Sequence, residues 1–326
     1  MLDVLTIGRV GVDIYPLQVG TALADVETFG RFLGGSPTNV AVAASRQGLR
    51  SGVITRTGAD AFAAYVHRAL REFGVDDSQV RPVEGLPTPI TFCEIFPPDH
   101  FPLWFYRTPT APDLQIRPEE LDGDAIAAAR IFWLTGTGLC QQPSRNAHTA
   151  ALEVRAGRPH TVLDLDYRPM FWPDAAEATA AIAEVLPQVT VTVGNLDEVE
   201  VAVGTRDPER AAGLLLDRGP RLAVVKLGPD GVLARTATET VRVPPVPVDV
   251  VNGLGAGDAF GGALCLGLLR DWPLERTLRF ANAAGAIVAS RLACSAAMPD
   301  HAETLALLRA VQPEPPSTAA AGGENR

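Results

Sequence analysis

The sequence predicts an α/β protein: a mostly parallel central sheet covered by helices, with a second, smaller sheet set apart from it. Three observations carry that expectation. After residue 110, short apolar runs alternate with helical patterns: Ile131–Thr135 then 143–156, 161–166 then 175–186, 189–193 then 207–218, and a last run at 222–227. Strand, helix, strand at this rhythm is the signature of βαβ units. Segments 12–33 and 88–110 differ from it, being extended, aromatic and punctuated by proline, and read as strands of a lid or dimerisation flap. The 326 residues, 47% hydrophobic and 20% charged, exceed one ordinary core yet are globular in composition, which excludes wholesale disorder, a coiled coil and a disulfide mini-scaffold.

The chain opens on an apolar strand at residues 2–7. It lacks the basic start and long apolar run of a signal peptide. Ser36-Pro37-Thr38-Asn39 supplies a cap and an early proline for an Ala-rich helix that Gly48 stops, and Asp60 caps a second helix running to Phe73 before Gly74. Past the βαβ rhythm, a glycine-rich turn opens an apolar helix to about Leu269, and 279–293 forms a late helix. Residues 312–326, rich in Pro, Ala, Gly and Glu, cannot bury a core and are expected to be disordered, leaving 1–311 as the folded domain.

A formal net charge of −10 argues against a nucleic-acid or anionic-membrane surface, so neither is expected as a partner. Any anion must be met locally. The basic residues are 27 Arg and a single Lys, Lys226. Cys93, Cys140, Cys265 and Cys294 form no Cys-x-x-Cys pair, and the five histidines have no metal-ligand spacing. No stretch of about 18 apolar residues is present to span a bilayer. The expectation is a soluble protein of the reducing cytoplasm.

The densest chemical signal is Val251-Asn252-Gly253-Leu254-Gly255-Ala256-Gly257-Asp258-Ala259-Phe260. Glycines let the backbone turn tightly and aim several N–H groups at one point, and the helix that follows adds its positive dipole end. That makes an anion hole. It has neither the Gly-Lys-Ser/Thr of a P-loop nor the Gly-x-Gly-x-x-Gly of a dinucleotide fold, which argues against a dehydrogenase. Asp258 admits two readings: an acidic residue that favours the helix dipole, or the group that accepts an alcohol proton during phosphoryl transfer.

Gly255-Ala256-Gly257-Asp258 in this context resembles the carboxy-terminal signature of the ribokinase-like carbohydrate kinases, the PfkB family. Gly34-Gly35-Ser36-Pro37-Thr38-Asn39-Val40-Ala41 resembles the amino-terminal one. The resemblance covers roughly residues 1–311. It implies a ribokinase-like three-layer α/β/α sandwich with a small β-sheet lid, and a sugar held between the two. It further implies that Gly255, Ala256 and Gly257 stabilise charge on the transferred phosphoryl group and that Asp258 deprotonates the sugar hydroxyl. Asp13 matches the early Asp that holds sugar hydroxyls, and Gly34, Gly35 and Asn39 match the glycines and Asn of the same pocket. Asn195 and Glu198 match an Asn-x-x-Glu that organises the water shell of Mg²⁺, although the pair reads equally as a helix cap. Lys226 and Gly228 fall in the loop on the ATP side, and Asn282 at the position near adenine, where it could equally serve packing.

Two clusters narrow the substrate to a sugar acid. Phe105-Tyr106-Arg107 resembles the Tyr-Tyr-Arg element of keto-deoxy sugar-acid kinases, which implies that Arg107 grips a carboxylate. Asp164-Leu165-Asp166-Tyr167-Arg168-Pro169 resembles their Asp-x-Asn-x-Arg-Pro stretch, implying Arg168 near the phosphates. Further phrases, including Thr91-Phe92-Cys93-Glu94-Ile95-Phe96-Pro97-Pro98-Asp99 and Ala111-Pro112-Asp113-Leu114, resemble the inositol-catabolism branch. That implies the 6-hydroxyl of 5-dehydro-2-deoxy-D-gluconate as acceptor, with 2-keto-3-deoxygluconate as the near alternative and a silent sugar-acid sensor as the distant one. Where many members read Asp-Thr-x in the loop around a monovalent cation, this chain has Asn252-Gly253-Leu254, so K⁺ dependence is left open. Exposed lid strands make a homodimer the expected assembly.

Overall fold

The computed structural model describes residues 1–311; the tail 312–326, expected to be disordered, lies outside the described residues. In chain order the strands are β1 (Val4–Ile7), β2 (Gly11–Pro16), β3 (Phe29–Gly34), β4 (Ser51–Gly58), β5 (Val75–Asp76), β6 (Val80–Val83), β7 (Ile90–Cys93), β8 (Leu103–Tyr106), β9 (Ile131–Thr135), β10 (Thr161–Asp164), β11 (Val191–Asn195), β12 (Leu222–Lys226), β13 (Val232–Arg235) and β14 (Thr240–Val243). The helices are α1 (Ser36–Arg46), α2 (Ala61–Glu72), α3 (Gly123–Ala128), α4 (Ser144–Arg155), α5 (Ala175–Val185), α6 (Leu196–Val203), α7 (Pro208–Leu216), α8 (Ala256–Leu269), α9 (Leu274–Ala289) and α10 (His301–Val311).

The main sheet runs β14-β13-β12-β11-β10-β9-β1-β4-β5, with β6 also on β4. Every pairing from β12 to β5 is parallel, and β13 and β14 add an antiparallel edge. Its strands are apolar at consecutive positions because both faces are covered. Successive side chains point to opposite faces. Val4, Ile131, Trp133, Val162 and Val224 enter one core with Val40 of α1, Phe260 of α8 and Val288 of α9. Leu5, Phe132, Leu134, Leu163 and Val225 enter the other with Ala151 of α4, Ile182 of α5, Ala202 of α6 and Leu215 of α7. The result is the expected helix, sheet, helix sandwich.

The second sheet has the order β3-β2-β7-β8. Its position follows from the chain path: β2 and β3 are inserted between the carboxy end of β1 and the start of α1, and β7 and β8 between β6 and β9. The small sheet is thereby tied to the carboxy edge of the large one, where open α/β sheets bind ligands.

Several boundaries differ from the sequence expectation. The strand placed at 189–193 is β11, shifted to Val191–Asn195, because its ladder with β12 runs on to pair Asn195 with Lys226. The segment after it holds α6 before α7 begins. The late helix placed at 279–293 is α9, which starts after Pro273 and stops at Ser290, freeing 290–293 to carry Cys294 toward the small sheet. Within 12–33 and 88–110 only β2, β3, β7 and β8 are strands. Among the described residues no helix is long and apolar enough to cross a membrane, and the four cysteines are buried and unpaired.

Candidate active site

Helices α2, α5, α6 and α7 each begin on an Asp or Asn whose side chain accepts a first-turn N–H. Helix α8 does not. Its N-cap is Gly255, which has no side chain and sits at φ +82°, a conformation that glycine adopts without strain. The first-turn N–H groups of Gly257 and Asp258 therefore remain available to a bound anion. A Cβ at Gly255 would also stand 2.8 Å from Cys294 Sγ. Gly255→Ala is expected to shift this turn and lower kcat at least tenfold, given that one lost oxyanion donor costs about 10²–10³. Steady-state rates at saturating sugar and ATP check it; an unchanged kcat would mean that the turn does not meet the phosphoryl group.

Asp258 lies in that first turn and is held from both sides. Ser36 Oγ donates to its Oδ1 and Asn39 Nδ2 to its Oδ2, each at 2.8 Å. Ser36 and Asn39 stand three residues apart on one face of α1. Asn39 is itself oriented, since its Oδ1 accepts from Ser295 Oγ at 2.6 Å. Burial raises the Asp258 carboxyl above the usual aspartate value, the two hydrogen bonds pull it back, and Asp166 adds to the rise. A carboxylate so tuned is a stronger base than a free Asp.

On the small-sheet side, Asp13 of β2 is buried and accepts from Tyr15 OH at 3.0 Å. Its other oxygen presses against Gly34 so closely that no side chain fits there. Gly35 follows as the N-cap of α1. Burial pushes the Asp13 carboxyl up to about 6, opposed by the Arg9 charge and aided by Asp258. Asp13, Gly34, Gly35, Asn39 and Asp258, distant in sequence, thus converge where the two sheets meet.

The carboxy ends of β10, β11 and β12 bring a charged cluster to the same edge. Lys226 Nζ is 3.9 Å from Asp164 Oδ1, and a Cβ on Gly257 would stand 3.2 Å from it. Burial works to lower the Lys226 pKa, yet Asp164, Glu198, Asp258 and Asp166 together hold it above the usual lysine value. Arg168 pairs with Asp166 at 3.0 Å and lies 4.0 Å from Glu198. Asp166 occupies the left-handed region at φ +31°, uncommon for a non-glycine residue, and accepts from Thr137 Oγ1 at 3.0 Å. Asp164 is pushed up to about 8, first by burial and then by Glu198, Asp166 and Asp258, against the pull of Lys226. Its Oδ1 is buried without a hydrogen-bond partner.

Asn195 and Glu198 form a reciprocal capping box at the start of α6, with bonds of 2.9 and 2.7 Å. Asn195 Oδ1 is thereby occupied, leaving Glu198 Oε1 facing the cluster. Gly228 opens the turn between β12 and β13 at φ +58°. Asn282 of α9 donates to Pro244 O at 3.0 Å and lines a cavity of about 160 Å³ with Arg279 and Leu308. Asn252 has both ends of its amide engaged, to Leu292 O and from Leu254 N–H, so it braces the loop ahead of Gly255. Arg107 is paired with Asp113 at 2.8 Å, both side chains almost fully buried, and lines a separate cavity of about 420 Å³ with Phe105, Phe171 and Cys140.

Sequence reasoning missed Ser36, Asp164 and Asp166 as site residues. Ser36 had a signal in its three-residue offset from Asn39. Asp164 and Asp166 stand in the same stretch as Arg168. Their role depends on strands about 30 and 60 residues further on.

A carboxylate base against a helix start with free N–H groups, beside the buried Asp13 and a cluster in which Lys226 and Arg168 stand among Asp164, Asp166 and Glu198, defines a phosphotransferase acting on a hydroxyl. The chain belongs to the pfkB family of carbohydrate kinases, whose pattern it matches over residues 1–301. It is 32% identical over 311 residues to the 5-dehydro-2-deoxygluconokinase of Shouchella clausii, covering 94% of this chain and 95% of that one. It superposes with a TM-score of 0.86 and 23% identity on an Escherichia coli protein provisionally termed ribokinase II, crystallised with ATP and Mg²⁺, over 95% of this chain and all of that one. A variant fructokinase from Vibrio cholerae with fructose, ADP and potassium bound gives 0.84 at 24% identity, over 94% and 98%. The fold is ribokinase-like.

Proposed function

We propose that this kinase transfers the γ-phosphoryl group of ATP to the 6-hydroxyl of 5-dehydro-2-deoxy-D-gluconate, a step of myo-inositol breakdown. The observation that carries the chemistry is Asp258, fixed by Ser36 and Asn39 at the uncapped start of α8. The substrate reading is supported by relatives of that name, similar over nearly the whole chain.

In this reading Asp13, with Gly34, Gly35 and Asn39 shaping the wall, receives the sugar hydroxyls. Asp258 Oδ takes the proton of the 6-hydroxyl as the oxygen attacks. The N–H groups of the Gly255-Ala256-Gly257 turn, Arg168 and Lys226 meet the charge on the moving phosphoryl group, so that positioning and electrostatics carry the rate. Gly228 and Asn282 border the nucleotide. The cluster suits Mg²⁺: Asp164 Oδ1 lacks a hydrogen-bond partner, Glu198 Oε1 faces in, and among the described residues no His, Cys, Asp or Glu group forms a cage of its own. An ion that keeps most of its waters needs only one or two carboxylates beside the phosphates. Glu198 and Asp164, with Asn195 through water, would hold it, and it would neutralise phosphate charge. We take residues 1–311 as one kinase domain with its lid, working in the cytoplasm. Exposed Phe29, Trp104 and Tyr106 on the small sheet favour pairing into a homodimer there.

A coupled ADP-release assay over keto-deoxy sugar acids, fructose, ribose and inosine tests the assignment. The highest kcat/KM is expected for 5-dehydro-2-deoxy-D-gluconate. A best turnover on a neutral sugar or nucleoside would overturn it.

A further inference from the structure

Arg9 follows β1 by two residues and has no role in the function as described so far. It is 8% exposed, its Nε is buried without a hydrogen-bond partner, and its guanidinium makes no ion pair among the described residues. Other withdrawn arginines each have an ion pair or carbonyl partners, although Arg107 Nη1 and Arg168 Nε are also buried without a hydrogen bond. Arg56 meets Glu120 and two carbonyls, Arg155 meets Thr161 and three carbonyls, Arg107 meets Asp113, and Arg168 meets Asp166. A guanidinium withdrawn from water and left unmatched is costly unless an anion arrives to complete it.

The surroundings say where that anion lies. The Arg9 backbone is pinned, its carbonyl accepting from Thr38 Oγ1 of α1 at 3.0 Å. Its guanidinium carbon stands 5.3 Å from the centre of the Phe105 ring. Its carbonyl also abuts Gly35 of the pocket wall, leaving no room there for a Cβ, and the Arg9 charge reaches Asp13. A six-carbon sugar acid whose 6-hydroxyl meets Asp258 and whose middle hydroxyls meet Asp13 carries its carboxylate onward, to the side where Arg9 waits. Arg107 is placed differently. It lies 4.7 Å from the Phe171 ring, which packs edge-on against Phe105 at 4.8 Å, and Asp113 already neutralises it.

We infer that Arg9 is the residue that binds the substrate carboxylate, and that Arg107, held by Asp113, is a positioning residue that keeps Phe171 and Phe105 in place. Arg9 offers the planar fork that a carboxylate matches with two hydrogen bonds. This rests on the sugar-acid reading above.

The test compares Arg9→Met, Arg9→Lys and Arg107→Met on 5-dehydro-2-deoxy-D-gluconate and on its uncharged C1 amide. Arg9→Met is expected to raise KM for the acid on the order of 10²-fold, to leave KM for the amide nearly unchanged, and to keep or raise the melting temperature of the ligand-free protein. Arg9→Lys should recover part of the preference for acid over amide. Arg107→Met should weaken both substrates alike. Should Arg9→Met fold poorly, the inference is overturned, because an unmatched charge would not be missed; equal losses on acid and amide in Arg9→Met, or a preference lost only in Arg107→Met, overturn it too. A wild-type enzyme that favours the amide or a neutral sugar instead sinks the sugar-acid reading itself.

Discussion

Asp258→Asn is expected to lower kcat by about 10²–10⁴, the usual contribution of a positioned general base, while the sugar still binds. The substitution is nearly isosteric, and its neighbours can accommodate it. The new amide oxygen can take the Asn39 Nδ2 bond, and the new NH₂ can donate to the Ser36 hydroxyl, which rotates to accept. What disappears is the basic oxygen at the head of α8. The pH profile separates this loss from a distorted site. Burial holds the wild-type carboxyl above the usual aspartate value, so kcat should fall as pH is lowered through that raised pKa. In the Asn variant the residual rate should lack that limb. Turnover close to wild type, with sugar affinity intact by calorimetry, would remove Asp258 from the mechanism.

The parts of this site that local chemistry builds were legible in the sequence. A run of glycines before a helix announces a bare N-terminus whatever the rest of the fold does, and Gly255 fulfils it. Asn195 and Glu198 show the limit of such signals, since one spacing describes both a capping box and a magnesium neighbour, and the structure builds the box. Charges brought together by the sheet were harder to read. Asp164, Glu198 and Lys226 meet only because β10, β11 and β12 are adjacent. Arg107 and Asp113 are six residues apart, yet their pairing depends on a short turn at Pro112–Gln115 that carries Asp113 back toward the end of β8. Arg9 gave no pattern at all, because a lone charge after a strand acquires meaning only from what fails to surround it.

The cluster also bears on how an acidic protein could meet the phosphates of ATP. In the proposed reading its phosphate side relies on backbone N–H groups, one arginine and the single lysine. Lys226 offers a compact ammonium close to Gly257, where the wider, planar guanidinium used elsewhere in the chain would have different requirements.

Asp13→Asn is expected to stabilise the protein while impairing it. The Asp13 carboxyl stands near 6 in the fold against 3.8 in the unfolded chain. Between those values the folded state binds more protons than the unfolded one, so stability falls as pH rises through the window, and the loss is complete above about pH 6. Two pKa units correspond to about 3 kcal/mol. Asparagine escapes that cost and can still accept from Tyr15 OH, so the variant should unfold later at pH 7.5, by roughly 5 °C at this size, with the advantage fading below pH 4. Sugar binding should move the other way. A carboxylate accepting sugar hydroxyls makes charge-assisted bonds of about 1.5–3 kcal/mol each, and two of them lost or weakened cost on the order of 10²-fold in kcat/KM. The wild-type KM for sugar should rise as pH drops below about 6, where Asp13 takes up its proton, and the variant should lack this dependence. Thermal unfolding and sugar kinetics across pH 4.5–8 would decide the matter: a variant less stable at pH 7.5 whose sugar KM matches wild type would show that Asp13 serves the fold, and that the pocket reads its substrate elsewhere.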